Sequence, residues 1–391
     1  MKPVDTSALP IVTLNFFDLK ATIRSDSHAY INLFTNMYRR FLPNGDTSSL
    51  ANKAEFTVFT GSNNDWGQPT LVLDEKVWPI NNKGLLEGFA YESVLNEIVA
   101  KVRSHFLIHA GVVSHNNQGI IISADSGHGK TTLVLQLLQR GCSFLSDEMA
   151  AIGRADSQVY PFPRALRLRP DTLEKVGFSE SARKETAKKG TVWLSKRLID
   201  VEDVQPNSFG QTVPIKYIIF LKNPATPDQD ISKQAEQELD VLVERLDVAL
   251  LAGIKKMPDV SKLQIDQEQG YPLLKIQAKN RTSVLSSIEA LCQEHKILVL
   301  DVIKRKYERP TFDTAATLTR IPNSQATIEL LKQFLGGHKS SLLQEEFGGS
   351  STRLFMELMG LIGQSECYEL QVGPLEEVTE LVTKLVGLTN H

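Results

Sequence analysis

The sequence predicts an α/β protein built around a strand, a glycine-bearing turn and a helix able to hold phosphate. Two stretches carry that reading: GIIISADSGHGKTT at 119–132 and the acid pair Asp147-Glu148 a short way downstream. Residues 119–123 are short and apolar, as a buried strand is, and 130–140 set Leu133, Leu137 and Leu138 on one helical stripe. Around them, short strand-like runs alternate with amphipathic helical segments, which is the pattern of an α/β sheet protein.

Taken in chain order, residues 1–90 form an N-terminal α/β cap region, with strand-like IVTLNFF, EFTVFT and TLVLDE separated by turns at PNGD and GSNND. A helix is expected over 93–105, where Val94, Leu95, Ile98, Val99 and Val102 fall at helical spacing and make a core stripe. It opens a core spanning 91–222 and leads into the strand that carries His109. After the 130–140 helix, Gly141 is a C-cap, and Cys142-Ser-Phe-Leu-Ser is a strand ending at the acid pair. IKYIIFLK at 215–222 is another strand, and NPATPDQD marks a boundary. Residues 223–317 read as an inserted α/β segment opening with a charged amphipathic helix, QAEQELDVLVERLDVALLAGIKK. From 318 to 391 the chain returns to the core: two helical segments, then strand CYELQV, Gly373-Pro374 and a helix whose Glu376 and Glu377 favour its positive end.

The turn at 124–129 is where the chemistry concentrates. Free backbone N–H groups at such a turn and at the helix N-terminus point at one spot and attract phosphate oxygens. The usual pattern places a glycine six residues before the lysine, where this chain has Ala124, a substitution that implies some strain or shift of the loop. Gly127 and Gly129 allow the bend, Lys130 sets a point charge on the β- and γ-phosphates, and Thr131 offers a hydroxyl to Mg²⁺. His128 either adds charge there or is a solvent-facing spacer. Downstream, Asp147 and Glu148 fall at a strand end; parallel strands would direct both into a ligand crevice. One carboxylate suffices for Mg²⁺ beside nucleotide phosphates, and the other is then free to take a hydroxyl proton. Further on, YPFPRALRLRP puts Arg167 and Arg169 on one face of an extended segment, with Arg164 behind two prolines, a spacing suited to anionic groups or to a solvated strand face.

The block from His109 to Glu148 resembles the catalytic core of the HPr kinase/phosphorylase family and its HPr-kinase-related relatives. In that family a histidine lies 21 residues before the loop lysine, as His109 does before Lys130, and an acidic pair begins 17 residues after it, as at Asp147. Its loop often reads GDSGxGKS, so Asp125, Ser126, Gly127, Gly129 and Lys130 match, whereas Ala124 and Thr131 depart. The resemblance implies a fold related to phosphoenolpyruvate carboxykinase, with ATP phosphates on Ala124, Asp125, Ser126, Gly127, His128, Gly129, Lys130, Thr131 and Thr132. It makes Asp147 the base, gives Mg²⁺ to Glu148 with Thr131, and sets His109 near the phosphates or the acid pair. KKGTVWL at 188–194 is similar to a Lys-Gly element of the related proteins, which makes Lys189 a phosphate contact alongside Arg164. The glycine-rich EIRGLGI-like segment and the PGRN-like loop of HPr kinases proper are both absent from the sequence. The expected protein is therefore a related kinase with another target.

The expected activity is ATP- and Mg²⁺-dependent phosphorylation of a hydroxyl, on Ser or Thr of a peptide or protein, with a small-metabolite kinase and a nucleotide-binding regulator as alternatives. A length of 391 residues and a 41% hydrophobic content suit a soluble enzyme of more than one structural unit. A net charge of −3 gives no global attraction to nucleic acid or anionic membrane. Cys142, Cys292 and Cys367 are scattered, odd in number and without metal-ligand spacing, which suits the reducing cytoplasm. No stretch looks like a leader or approaches the roughly 20 apolar residues of a membrane helix. Assembly as a homo-oligomer is left open.

Overall fold

The computed structural model describes residues 6, 8–43, 50, 52–61, 67–74, 76–79, 93–124, 128–168, 172–178, 180, 191–193, 196–222, 237–243, 245–268, 271–295, 297, 299–303, 314–335 and 346–388. The chain divides into two compact units, one of Met1–Asn81, Ala90–Pro224 and Pro310–His391, the other chiefly Ala225–Arg309. Both are α/β.

The first unit begins with a five-stranded sheet in the order β1 (Ile11–Phe16), β2 (Leu19–Ser25), β3 (Asn52–Phe59), β4 (Thr70–Leu73) and β5 (Lys76–Pro79). β2 and β3 are parallel, so a crossover must join them, and the helix His28–Met37 lies on that connection. It buries Tyr30, Ile31, Phe34 and Met37.

The central sheet has eight strands: β6 (His105–His115), β7 (Gln118–Ala124), β8 (Ser143–Ser146), β9 (Met149–Gly153), β10 (Gln158–Tyr160), β14 (Val213–Lys222), β19 (Thr317–Ile321) and β20 (Glu366–Gln371). Its path runs β10-β9-β6-β7-β14-β20-β19, with β8 on β6. The sheet is mixed and not wholly parallel: β14 is parallel to β7 and β20, whereas β6 runs antiparallel to β7, β8 and β9. Alternate residues feed opposite cores. Ile120, Ile122, Ile219 and Leu221 pack with Leu133 and Leu137 of the helix Lys130–Gln139 and with Val378 and Val382 of the helix Leu375–Leu385. Ile121, Ile218 and Phe220 face the helices Asn323–Lys332 and Ser351–Leu361 through Leu330, Leu354 and Leu358. A smaller sheet, in the order β11 (Leu166–Leu168), β13 (Lys196–Ile199) and β12 (Thr191–Trp193), follows β10 in the chain. The expected helix over 93–105 is helical only to 101, because β6 begins at His105 and pairs with β9 from there.

The second unit is a βαββαβ arrangement: β15 (Gln237–Val243), helix Val248–Lys255, β16 (Val260–Glu268), β17 (Tyr271–Ala278), helix Arg281–Glu294 and β18 (Val299–Ile303). Its antiparallel order is β16-β17-β15-β18, the split βαβ pattern of ferredoxin-like units. Its opening corrects the single amphipathic helix expected over QAEQELDVLVERLDVALLAGIKK. Leu239, Val241 and Val243 are all fully buried with period two, so a strand forms first, and Asp247 then caps a separate helix by accepting from Ala249 N.

Candidate functional site

β7 and β8 both run antiparallel to β6, so their carboxyl ends, at Ala124 and Ser146, lie on the same edge of the sheet. The turn from Asp125 to Gly127 lies outside the described residues. Gly129 caps the following helix at φ +85°, in the left-handed region that favours glycine. Lys130, only 8% exposed, folds back so that Nζ donates to the Ala124 carbonyl at 3.4 Å. Thr131 and Thr132 are half-buried in the first turn, and His128 is buried, which rules out its reading as a solvent-facing spacer. At the far end of the helix Gly141, at φ +94°, ends it as expected, with Gly141 N donating to Leu138 O and Cys142 N to Leu137 O.

The acid pair sits in a tight turn between β8 and β9. Ser146 Oγ accepts from the backbone N–H of Glu148 at 3.3 Å and of Met149 at 2.9 Å, and Ala110 N donates to the Glu148 carbonyl. Asp147 is 3% exposed, and its Oδ1 is buried with no hydrogen-bond partner among the described residues. Burial pushes the Asp147 carboxyl above its ordinary value, against the pull of Arg164, Lys130, the residue's own backbone amide and Arg167. Three cations therefore act on one buried carboxylate, and Lys130 and Asp147 share one neighbourhood. Gly111 on β6 gives an independent measure of that proximity: a Cβ there would lie 3.4 Å from Lys130 Cγ and 3.7 Å from the Asp147 carbonyl oxygen.

Other expected residues fall variously. Glu148, about one-third exposed, is ion-paired with the guanidinium of Arg164, a buried side chain. Arg167 lies on β11, opposite Leu198 of β13. His109 is on β6, on the strand face it shares with Gly111 and hence with Lys130, and its backbone N donates to Gln333 O at 2.8 Å. Arg169 and Lys189 lie outside the described residues. Among those described, no group of three or more His, Cys, Asp or Glu is arranged to hold a metal ion, and no helix is long and apolar enough to cross a membrane. Two contributors were not singled out from sequence. Gly111 had a signal, an isolated glycine inside an apolar strand, which marks close backbone approach. Ser146 had only its place beside two acids.

The arrangement can do two things. The buried Lys130 amine at the helix start can hold an anion, and the unpartnered Asp147 carboxylate oxygen in its neighbourhood can take a proton. The donor set also fits a magnesium nucleotide: a half-buried hydroxyl at Thr131, a partly exposed carboxylate at Glu148 and the buried amine of Lys130, with the Asp147 oxygen unclaimed.

No protein family matches the chain, and no curated protein does. Among solved structures it is similar to the Hpr(Ser) kinase/phosphatase from Coxiella burnetii, at 16% identity and a TM-score of 0.21, over 49% of this chain and 95% of that one. That likeness is distant, and the functional reading stands on the site's own residues.

Proposed function

We propose that the chain is a Mg²⁺- and ATP-dependent phosphotransferase acting on a hydroxyl, most simply that of Ser or Thr in a peptide or protein. One observation supports it above the rest: the buried Asp147 Oδ1 has no hydrogen-bond partner among the described residues, and it sits among Lys130, Arg164 and Arg167 at the sheet edge where the loop helix starts. A carboxylate left so is destabilising for the fold and useful for proton removal. Bound magnesium nucleotide supplies the phosphoryl group and a cation that offsets its charge. Thr131 and Glu148 are the residues to hold that ion, and the backbone N–H groups at the start of the Lys130–Gln139 helix, with the Lys130 amine, bind phosphate oxygens. Asp147 Oδ1 takes the acceptor's proton as the hydroxyl oxygen bonds to the γ-phosphorus and the bond to the β-phosphate oxygen breaks. Burial keeps water from competing for that oxygen.

The test is labelling of a cell extract with γ-labelled ATP by wild type and by Asp147→Ala. Wild type should label an acceptor, with phosphoserine or phosphothreonine recovered from it, and the variant should lose label by a factor on the order of 10²–10⁴. Nucleotide bound equally by both proteins, with no acceptor labelled by either, would contradict the proposal.

A further inference from the structure

We infer that Arg164 is a positioning residue for the acid pair, fixed in place by the N-terminal part of the chain, and that it does not contact the nucleotide phosphates. The inference rests on the phosphotransferase reading above and corrects the phosphate role that the sequence spacing gave this residue.

Its side chain is 2% exposed and ion-paired with Glu148. The backbone beneath it is tied on both sides: Arg164 N donates to Phe162 O at 3.1 Å, and Ala165 N donates to Met37 O at 2.9 Å. Met37 is the last residue of the helix His28–Met37 and is itself buried. Phe162, fully buried, packs its ring 4.8 Å from that of Phe41 and 5.8 Å from that of Phe16. A segment held by two main-chain hydrogen bonds and a three-ring cluster has little freedom to swing toward an arriving phosphate. What a fixed planar guanidinium does well is orient a carboxylate, since its fork of donors has a set geometry. Arg164 therefore holds Glu148 at one side and supplies charge to Asp147 at the other. Through Met37, Phe16 and Phe41 the N-terminal sheet and helix thus set the position of the group that orders both acids.

Isothermal titration with ATP in EDTA and in Mg²⁺, alongside transfer rates, separates the roles in wild type, Arg164→Met, Arg164→Lys, Glu148→Gln and the Arg164→Met/Glu148→Gln double variant. A positioning role leaves metal-free ATP affinity within about twofold for Arg164→Met while transfer falls about a hundredfold, the scale of a small misplacement of reacting groups. It also predicts that Arg164→Met costs clearly less once Glu148 is Gln than it does alone, the remainder being its charge on Asp147, and that Arg164→Lys, which keeps charge and loses the fork, recovers only part of the rate. If Arg164→Met does not fold, Arg164→Lys carries the same comparison, with Met37→Ala as the second probe, expected to slow transfer at unchanged metal-free affinity. A tenfold or greater loss of metal-free ATP binding, or full additivity with Glu148→Gln, overturns the assignment alone. Wild type that binds no nucleotide in either buffer overturns the phosphotransferase reading, and this assignment with it.

Discussion

Asp147 and His105 are both buried ionisable side chains in the first unit, each with an oxygen or nitrogen that no described group satisfies, and their surroundings differ in kind. Burial pushes the His105 imidazole down to about 4, with Asp18 and Asp156 pulling the other way. Its Nδ1 lies 2.7 Å from Ser104 Oγ, which donates to Asp18 Oδ1 at 2.6 Å, and Asp18 also accepts from Asn52 Nδ2. With the serine proton on Asp18, Nδ1 carries the imidazole hydrogen and Nε2 is a bare lone pair. Aromatic rings pack on the imidazole: Phe17 stacks at 3.8 Å and Tyr160 meets the ring edge-on at 4.6 Å. Phe17 holds φ +58° to do so, a conformation rare for an aromatic residue. His105 is a structural lock between the β1–β2 turn and the central sheet. Asp147 Oδ1, in contrast, lies at a strand edge where a helix starts, with three cations, Lys130, Arg164 and Arg167, acting on it, whereas Asp18 ties His105 into the fold through Ser104. An orphaned buried atom is thus not a functional signal by itself; convergence of countercharge at a strand edge beside a helix start is.

That contrast can be broken experimentally. The largest effect is expected at Lys130: Lys130→Met should lower transfer by on the order of 10²–10³ with little change in thermal stability, and an unchanged rate would separate the amine from the chemistry. Next is the pH response of the lock. His105 binds protons less readily folded than unfolded, so its contribution is fully present above the ordinary value of 6.5 and is lost as pH falls toward about 4. The loss should reach on the order of 2 kcal/mol, and His105→Phe should show a flatter fall in melting temperature between pH 7 and pH 4.5; parallel curves would contradict the lock.

Gly111→Ala comes third. Its Cβ would meet Val134 Cγ2 at 2.7 Å, and a fully buried β-branched side chain on a helix has little room to turn. A loss of about 1–2 kcal/mol is expected by chemical denaturation, with weaker nucleotide binding because the same contact positions Lys130; wild-type stability would show that the helix yields freely. The smallest effect has an informative sign. The folded pKa of Asp147 is raised, so this group's contribution to stability is fully present below the ordinary carboxylate range and is lost as pH rises through the raised folded value. Asp147→Asn removes the buried charge and should raise stability near pH 8 by about 1 kcal/mol, whereas a structural carboxylate would leave the variant less stable.

The site's outline was legible because its parts are local. A strand, a glycine at positive φ, a lysine at the helix start and an acid pair after a short strand each write a short pattern into the chain. What joins them is not local. Nothing in the stretch around Arg164 reveals that Ala165 donates to Met37, or that the guanidinium pairs with Glu148, since both contacts depend on tertiary packing. The common direction of β7 and β8 was legible, but the antiparallel β6 that lies between them was not, for the same reason. The stretch from Gln237 to Lys255 was misread because its charges suit a helix face, while the period-two burial of Leu239, Val241 and Val243 decides for a strand. The acceptor left no local pattern of that type.

The most direct measurement is a crystal structure of the chain with Mg²⁺ and a non-hydrolysable ATP analogue. The account predicts the γ-phosphate within hydrogen-bond reach of Lys130 Nζ, with Asp147 Oδ1 on its open face and Arg164 still on Glu148. A nucleotide bound elsewhere, or a Lys130 and an Asp147 facing separate cavities, would contradict it.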